Sequence, residues 1–165
     1  MRKSVIVSNR LPLQISKLEN SFLFQPSSGG LATGLDSVHK NNDSIWVGWS
    51  GITSDELTKK NKLEIKNTLD DLRLIEVELN QKEVDGFYHG LSNKCIWPLF
   101  HYFIELAKFN EDDWLTYVDV NKKFCEKVIQ NTEQNGVVWV HDYQLMLLPK
   151  LIKEKRPDLT IGFFL

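Results

Sequence analysis

The sequence has none of the features that mark a membrane protein or a polyanion-binding protein. A membrane-spanning helix needs about 20 apolar residues, and every apolar run in the sequence is much shorter. Its net charge is −2, from 20 basic and 22 acidic residues that are scattered along the chain, so no basic patch for nucleic acid is visible. The composition therefore argues against a membrane or a nucleic acid as partner and fits a soluble globular protein.

Cysteine is also scarce. Cys95 and Cys125 are the only two, and they form neither a paired framework nor a C-x-x-C motif. Such cysteines suit a reducing cytoplasm, where we expect both to be small buried residues. The basic residues at positions 2 and 3 precede an apolar run that is far too short for a signal peptide. We interpret this run as a first β-strand and expect a cytoplasmic location.

Five short apolar runs, rich in Val, Ile and Phe, predict β-strands. They lie at 4–8, 44–49, 72–79, 136–140 and 160–165. Apart from the third, they do not alternate cleanly with polar residues, which is typical of strands buried on both faces of a parallel sheet.

Helical patterns separate several of these runs. Residues 113–131 carry an apolar stripe at helical spacing, and Asp112 or Asp113 can cap its start. A second pattern near the C-terminus contains Pro149, which must either kink the helix or open its second part, and Pro157 ends it. Strands alternating with helices predict an α/β fold with a doubly wound, mostly parallel sheet.

One segment does not fit a simple alternation of strands and helices. Residues 13–25 resemble two short strands around Glu19 and Asn20, which predicts a hairpin inserted before a helix that starts near Gly30. No internal repeat or linker interrupts the chain, so one domain is the default for this length, although 165 residues could also be a piece of a larger protein.

Polar residues follow three of the predicted strands. Asn9 and Arg10 follow the first, residues 48–51 the second, and His141 and Asp142 the fourth. Since ligands of open α/β sheets bind at the carboxyl ends of the strands, this pattern predicts the edge of a pocket. The alternative for Asp142 is that it only caps the following helix.

Two kinds of anion-binding group are present near the N-terminus. Arg10 could offer its planar fork to a phosphate or carboxylate, or it could be a solvated surface residue. Gly29 and Gly30 stand at the probable helix start, where free N–H groups suit an anion, although a flexible loop is the alternative. Their spacing matches neither a dinucleotide-binding fingerprint nor a P-loop, which argues against a nicotinamide cofactor.

Aromatic residues are numerous and could be core filler or walls for a sugar. Strand alternation assigns Trp46 and Trp139 to the core, whereas Trp49 lies past its predicted strand and is a pocket candidate. Tyr88 and Trp97 fall in a region interpreted as loops and turns, where they could form a binding wall or a packed satellite cluster.

Metal and nucleophile chemistry find little support. His89, Cys95 and His101 match no zinc-binding spacing, so we predict no metal site. No Ser/His/Asp or Cys/His arrangement for a nucleophile is recognisable either.

Six segments together resemble one enzyme family. They read "VIVSNRLPL", "SSGGLATGL", "WVGWSG", "FYHGLSNKCIWPLFHY", "WVHDYQLMLLP" and "RPDLTIGFFL". In this order they are similar to the N-terminal, Rossmann-like domain of the trehalose-6-phosphate synthases, which are retaining glycosyltransferases of the GT-B fold. The resemblance covers essentially the whole chain. It implies transfer of glucose from UDP-glucose to glucose 6-phosphate, giving α,α-trehalose 6-phosphate, without a metal or cofactor.

The resemblance also assigns binding residues. The acceptor pocket for glucose 6-phosphate corresponds to Arg10, Trp49, Tyr88, Trp97 and Asp142, and the approach to the donor diphosphate corresponds to Gly29 and Gly30. Arg10 would hold the 6-phosphate with help from the Tyr88 hydroxyl, Asp142 would accept hydrogen bonds from sugar hydroxyls, and the two tryptophans would wall the sugar. The hairpin would be part of a mobile flap beside the donor.

One departure from the family concerns the C-terminus. In the family, "GFFL" is followed by a His-x-Pro-Phe-Pro motif and then by a donor-binding domain, whereas this sequence ends at Leu165. We expect residues 1–165 to be a truncated acceptor-binding domain with little transferase activity alone, from a protein that could be a homo-oligomer. The alternatives are a transferase for another phosphorylated acceptor, such as glycerol 3-phosphate, and a non-catalytic sugar-phosphate-binding regulatory domain.

Overall fold

A five-stranded sheet forms the centre of the molecule. The structure is a computed structural model that describes residues 4–19, 21–27 and 29–165. The strands of this sheet are β1 (Ser4–Arg10), β4 (Ile45–Trp49), β5 (Leu74–Glu76), β6 (Val137–His141) and β7 (Thr160–Phe164). All neighbouring pairs are parallel, in the order β5-β4-β1-β6-β7. The five predicted strands are therefore confirmed, although the third is only three residues long.

The strand order makes the sheet doubly wound, as predicted. From the central β1 the chain moves outward to β4 and β5, and then returns to the other side of β1 for β6 and β7. The order reverses between β1 and β6. The crevice at the carboxyl ends of these two strands is the place where open α/β sheets bind ligands.

The predicted hairpin is also confirmed. Strands β2 (Leu13–Lys17) and β3 (Phe22–Pro26) pair antiparallel, with Leu13 opposite Pro26. Leu13, Phe22 and Phe24 pack against the core on one face of the main sheet, which anchors the base of the hairpin. Asn20, which the sequence places in its turn, lies outside the described residues.

Helices cover both faces of the sheet. They are α1 (Gly30–Asn41), α2 (Lys59–Asp71), α3 (Gln81–Glu83), a π-helix (Val84–Ile96), α4 (Trp97–Phe100), α5 (Glu111–Asn131) and α6 (Leu148–Lys155). One apolar cluster joins the sheet to α5, α6 and the π-helix, and a second joins it to α1, α2 and the hairpin. In the part of the chain that the structure describes, no helix combines the length and apolar character needed to cross a membrane.

The interpretation of the segment around Tyr88 and Trp97 as loops and turns is wrong. Helices α3 and α4 and the π-helix form one continuous helical segment. Two glycines of this segment allow close packing: a Cβ at Gly90 would collide with the Asp113 carboxylate, and one at Gly86 would lie 2.8 Å from Thr116. They let this segment approach α5, so that their role is in packing rather than in chain reversal.

The starts of α5 and α6 show which of the predicted helix-start signals are correct. Asn110 caps α5, because its Oδ1 accepts from the backbone N–H groups of Asp112 and Asp113 at 2.8 and 3.1 Å. The prediction that Asp112 or Asp113 caps this helix is therefore wrong, although both carboxylates lie in the first turn, where the helix dipole favours them. In α6, Pro149 lies in the first turn and opens the helix, one of the two predicted alternatives.

Candidate functional site

A pocket of about 220 Å³ lies at the carboxyl edge of the sheet, beside the point where the strand order reverses. Four of the predicted site residues line it: Arg10 from the end of β1, Gly29 before α1, Tyr88 from the π-helix and Asp142 after β6. The expectation that side chains from separate strands meet at one rim is thus met for Arg10 and Asp142. We call this cavity the Arg10 pocket.

Arg10 is held in place by its surroundings. Its guanidinium lies over the ring of Trp49, with Cζ 4.6 Å from the ring centroid, a cation–π geometry. Gly51, at φ +95°, leaves room for the guanidinium. Burial lowers the pKa of Arg10, and the nearby Tyr88 phenol opposes this by raising it. Among the described residues no carboxylate forms an ion pair with Arg10, so its charge is available to an anionic ligand.

Asp142 has a backbone conformation that is unusual for any residue but glycine. Its φ is 77° and its ψ is 162°, a combination that costs non-glycine residues on the order of 1–3 kcal/mol. Two hydrogen bonds enforce it: its N–H donates to the Phe164 carbonyl at 2.8 Å, and its Oδ1 accepts from the Tyr143 N–H at 2.8 Å. The carboxylate therefore caps the short 3₁₀ turn Tyr143–Leu145. Since it remains exposed beside the pocket, the cap leaves it free to contact a ligand.

Trp49 does not lie past its strand, and this prediction is wrong. It is the last residue of β4, only 4% of it is exposed, and its indole N–H donates to the Ile52 carbonyl at 2.9 Å. It is not among the residues that line the Arg10 pocket. Its ring supports the Arg10 guanidinium from behind, so its contribution to the pocket is indirect.

Trp97 lies near the pocket rather than in its wall. Its side chain is 49% exposed, and its ring centroid is 5.6 Å from that of Tyr143. The Tyr143 hydroxyl donates to Asn93 Oδ1 in the π-helix at 3.1 Å, which ties this helix to the residue after Asp142. Trp97 is therefore linked to the region of Asp142 through Tyr143 and is not part of the wall of the Arg10 pocket.

Trp46 and Trp139, both assigned to the core from the sequence, differ in burial. Trp46 is buried as predicted, and its indole N–H donates to the Ser8 hydroxyl at 2.8 Å at the floor of the Arg10 pocket. Trp139 is only half-buried. It packs against the core beneath α1 and also lines a second, larger cavity, so its assignment to the core alone is incomplete.

The second cavity, of about 520 Å³, adjoins the start of α1. Gly30, Gly34, His141, Asp142 and Phe164 are among its lining residues, and we call it the Gly30 pocket. Gly29 is the extended N-cap of α1 and Gly30 its first residue, so the predicted helix start is confirmed. A Cβ at Gly30 would meet no protein atom within 4 Å. The bare N–H groups of the helix start could therefore receive an anion here.

Three buried polar residues at these pockets carry atoms that have no hydrogen-bond partner among the described residues. Asn9 and Gln144 line the Arg10 pocket, are each 6% exposed, and have amide oxygens without a hydrogen-bond partner. His141 lines the Gly30 pocket, and neither of its ring nitrogens has a partner. Sequence reasoning placed Asn9 and His141 at strand ends but gave them no role. Gln144 was missed, and its burial beside the pocket is a tertiary property.

Metal binding finds no geometric support. In the described ranges, no group of three or more His, Cys, Asp and Glu side chains could hold a metal ion. Cys95 is half-buried and Cys125 buried, and both are free thiols.

Comparison with known proteins identifies the family. The model of Glycosyltransferase family 20 matches residues 2–165. The chain belongs to this family. Trehalose-6-phosphate synthase of Mycobacterium leprae is 41% identical over 163 residues, which cover 98% of this chain and 32% of the relative. The chain thus spans about a third of the length of this relative.

Solved structures with ligands resemble this family 20 chain. One is described as trehalose-6-phosphate from E. coli bound with UDP-2-fluoro glucose, with a TM-score of 0.74 at 28% identity, covering 99% of this chain and 32% of that one. Another is an α,α-trehalose-phosphate synthase (UDP-forming) from Burkholderia xenovorans in complex with glucose-6-phosphate, with a TM-score of 0.70 at 26% identity, covering 99% and 33%. The predicted family and fold class are both confirmed.

Proposed function

We propose that this chain is the acceptor-binding N-terminal domain of a UDP-forming trehalose-6-phosphate synthase. The enzyme would transfer glucose from UDP-glucose to glucose 6-phosphate, giving α,α-trehalose 6-phosphate and UDP. The relatives and structures described above carry these activities and ligands in their names. The two free cysteines suit a cytoplasmic setting.

The unpaired Arg10 guanidinium beside Asp142 is the observation that carries this proposal. A cation that has no counter-ion among the described residues and a carboxylate in a strained backbone line one pocket. A sugar phosphate satisfies both, because its phosphate accepts from a guanidinium and its hydroxyls donate to a carboxylate. In this arrangement Arg10 and the Tyr88 hydroxyl hold the 6-phosphate, and Asp142 binds hydroxyls of the ring.

The donor would occupy the Gly30 pocket. Its diphosphate would lie against the first N–H groups of α1, where Gly29 and Gly30 present no side chain. Asp142 lines both pockets, so donor and acceptor would meet beside its carboxylate. In the reaction, the bond from the anomeric carbon to the diphosphate oxygen breaks with its electron pair leaving on UDP, and the anomeric carbon bonds to the 1-hydroxyl oxygen of glucose 6-phosphate, which loses its proton.

Transfer would also require the remainder of a longer protein. Since the chain spans about a third of its relatives, we infer that a second domain closes the cleft above these pockets and supplies positive charge for the leaving diphosphate. This chain alone is therefore expected to bind the acceptor but to have little transferase activity.

Calorimetric titration of this chain tests the acceptor assignment. We expect glucose 6-phosphate to bind and glucose to bind at least tenfold more weakly, because only the phosphate uses the charge of Arg10. Arg10→Ala should abolish the difference between the two ligands. Lys122→Ala, which removes an exposed charge paired with Asp119 on α5, is the matched control and should leave it intact.

Two results would overturn the assignment. If Arg10→Ala binds glucose 6-phosphate as the unaltered chain does, Arg10 does not hold the phosphate. If glycerol 3-phosphate binds as tightly as glucose 6-phosphate, the hexose ring contributes nothing, and a different phosphorylated acceptor is the better assignment.

A further inference from the structure

His141 is buried at the end of β6 without any hydrogen-bond partner. It is 2% exposed, and both of its ring nitrogens are enclosed without a partner in the described part of the molecule. The other buried histidine of the described residues, His39 in α1, is different. Its Nδ1 lies 3.1 Å from Ser44 Oγ, and its Nε2 lies 3.1 Å from the Leu72 carbonyl oxygen.

An unpaired imidazole is costly at this position. The ring always carries at least one N–H donor, and enclosing that donor without an acceptor loses its hydrogen bond to water. Trp139, two residues earlier on the same face of the strand, packs against the apolar core, so an apolar side chain could replace His141 without this penalty. The cost therefore points to a partner that lies outside the described part of this chain.

The Gly30 pocket is where such a partner could lie. His141 lines it, with the ring of Trp139 at 4.6 Å and that of Phe164 at 5.9 Å between centroids. Phe164 covers the imidazole only loosely, because 60% of this residue is exposed. His141 and Phe164 both line the Gly30 pocket, so a ligand there would lie beside the imidazole.

The position of His141 within the pocket limits which part of a ligand it can meet. Gly30, at the start of α1, marks the end suited to phosphate, whereas Asp142 marks the boundary with the Arg10 pocket. A group that moves from a diphosphate to an acceptor in the Arg10 pocket must lie beside Asp142. His141 lines the same pocket as Asp142, so a transferred group beside Asp142 would also lie close to His141.

We propose that His141 is a binding residue for the hexosyl group of the nucleotide sugar, sharing hydrogen bonds with its hydroxyls. This inference rests on the proposed function, since it assumes a donor in the Gly30 pocket. A neutral imidazole donates from one nitrogen and accepts at the other, which matches a hydroxyl, itself both donor and acceptor. Burial, the largest influence, lowers the pKa of His141 and favours this neutral form.

Ring-nitrogen NMR of this chain tests the proposal. With histidine side chains labelled with ¹⁵N, we expect millimolar UDP-glucose to shift both ring resonances of His141, whereas UDP shifts them much less. The backbone amide of Gly30 should respond to both ligands, because both carry the diphosphate. The ring resonances of His39, which already has two partners, are the internal control and should stay in place.

A variant supplies the second readout. His141→Phe removes the polar atoms while keeping a ring, so it should raise the midpoint of thermal unfolding. It should also weaken binding of UDP-glucose by about tenfold and leave the affinity for UDP unchanged. If His141 were merely structural, the variant would be less stable, and its affinities for UDP-glucose and for UDP would both match those of the unaltered chain.

The outcomes separate this proposal from the proposed function. If the Gly30 amide responds to UDP-glucose and the His141 ring does not, the role of His141 is wrong and the donor site stands. If neither responds, no donor binds in the Gly30 pocket, and the donor site and the role of His141 are both wrong. The titration with glucose 6-phosphate then still decides the acceptor assignment independently.

Discussion

Arg10 and Trp49 are opposite each other on the parallel strands β1 and β4, and the guanidinium of one lies 4.6 Å above the ring of the other. The register between the two strands shifts between Val7 and Arg10, and this irregularity ends the regular pairing just before the pocket. An arginine fixed by a buried ring loses little side-chain entropy when an anion binds, so the contact prepares the site for its ligand.

Gly51 should be essential to this arrangement. In Gly51→Ala the new Cβ would overlap the Arg10 guanidinium, and φ +95° is strained for any residue with a Cβ. We predict that the variant loses about 1–3 kcal/mol of unfolding free energy and at least tenfold in affinity for glucose 6-phosphate, measured by urea unfolding and calorimetry. Gly162→Ala is the control, because its Cβ would make an ordinary contact of 3.5 Å with Trp139. Unchanged binding by Gly51→Ala would show that the position of Arg10 does not matter.

Asp142→Gly should separate ligand binding from stability. Glycine relieves the strain at φ 77° while removing the cap on the Tyr143 N–H, so the two effects oppose each other. We predict an unfolding free energy within about 1 kcal/mol of the unaltered chain and a loss of glucose 6-phosphate binding. Asn135→Gly, another non-glycine residue at positive φ, is the control and should leave binding intact. A large loss of stability with binding retained would mean that Asp142 is only a cap.

The pH dependence of stability should carry a contribution from Glu76. Burial raises the pKa of Glu76 above its ordinary value of 4.5, and the hydrogen bond from the Ser50 hydroxyl offsets part of this shift. A carboxyl whose pKa is raised in the folded state is stabilising below its unfolded pKa, and this contribution is lost as the pH rises through the folded value.

Glu76→Gln keeps the acceptor for Ser50 but cannot ionise. We therefore predict that its unfolding free energy, relative to that of the unaltered chain, increases from about pH 4 to about pH 7. Urea unfolding at both pH values measures this difference. A difference that is the same at both values would show that Glu76 ionises in the fold as it does in water.

The sheet and the meeting of Arg10 with Asp142 could be predicted because they follow from local patterns. Apolar runs mark parallel strands, and the carboxyl ends of parallel strands share one edge. The segment that contains Gly86 and Gly90 is helical rather than loop and turn, and glycine alone does not separate these interpretations, since it serves both turns and close helix packing. Only the side chains of α5 decide between these two uses.

Local sequence patterns do not predict where a strand ends or whether a buried polar group finds a hydrogen-bond partner. Trp49 was misplaced because the glycines beside it suggested that the strand had already ended, whereas it is the last residue of β4 and packs in the core. The unpaired atoms of Asn9, His141 and Gln144 depend on the neighbours that the fold brings to them. No spacing in the sequence reveals whether a polar side chain will find a partner.

A crystal structure of this chain with glucose 6-phosphate would test the central claim most directly. The account predicts the phosphate at hydrogen-bond distance, about 2.7–2.9 Å, from the Arg10 guanidinium, with a ring hydroxyl donating to the Asp142 carboxylate. A bound glucose 6-phosphate that touches neither residue would contradict it.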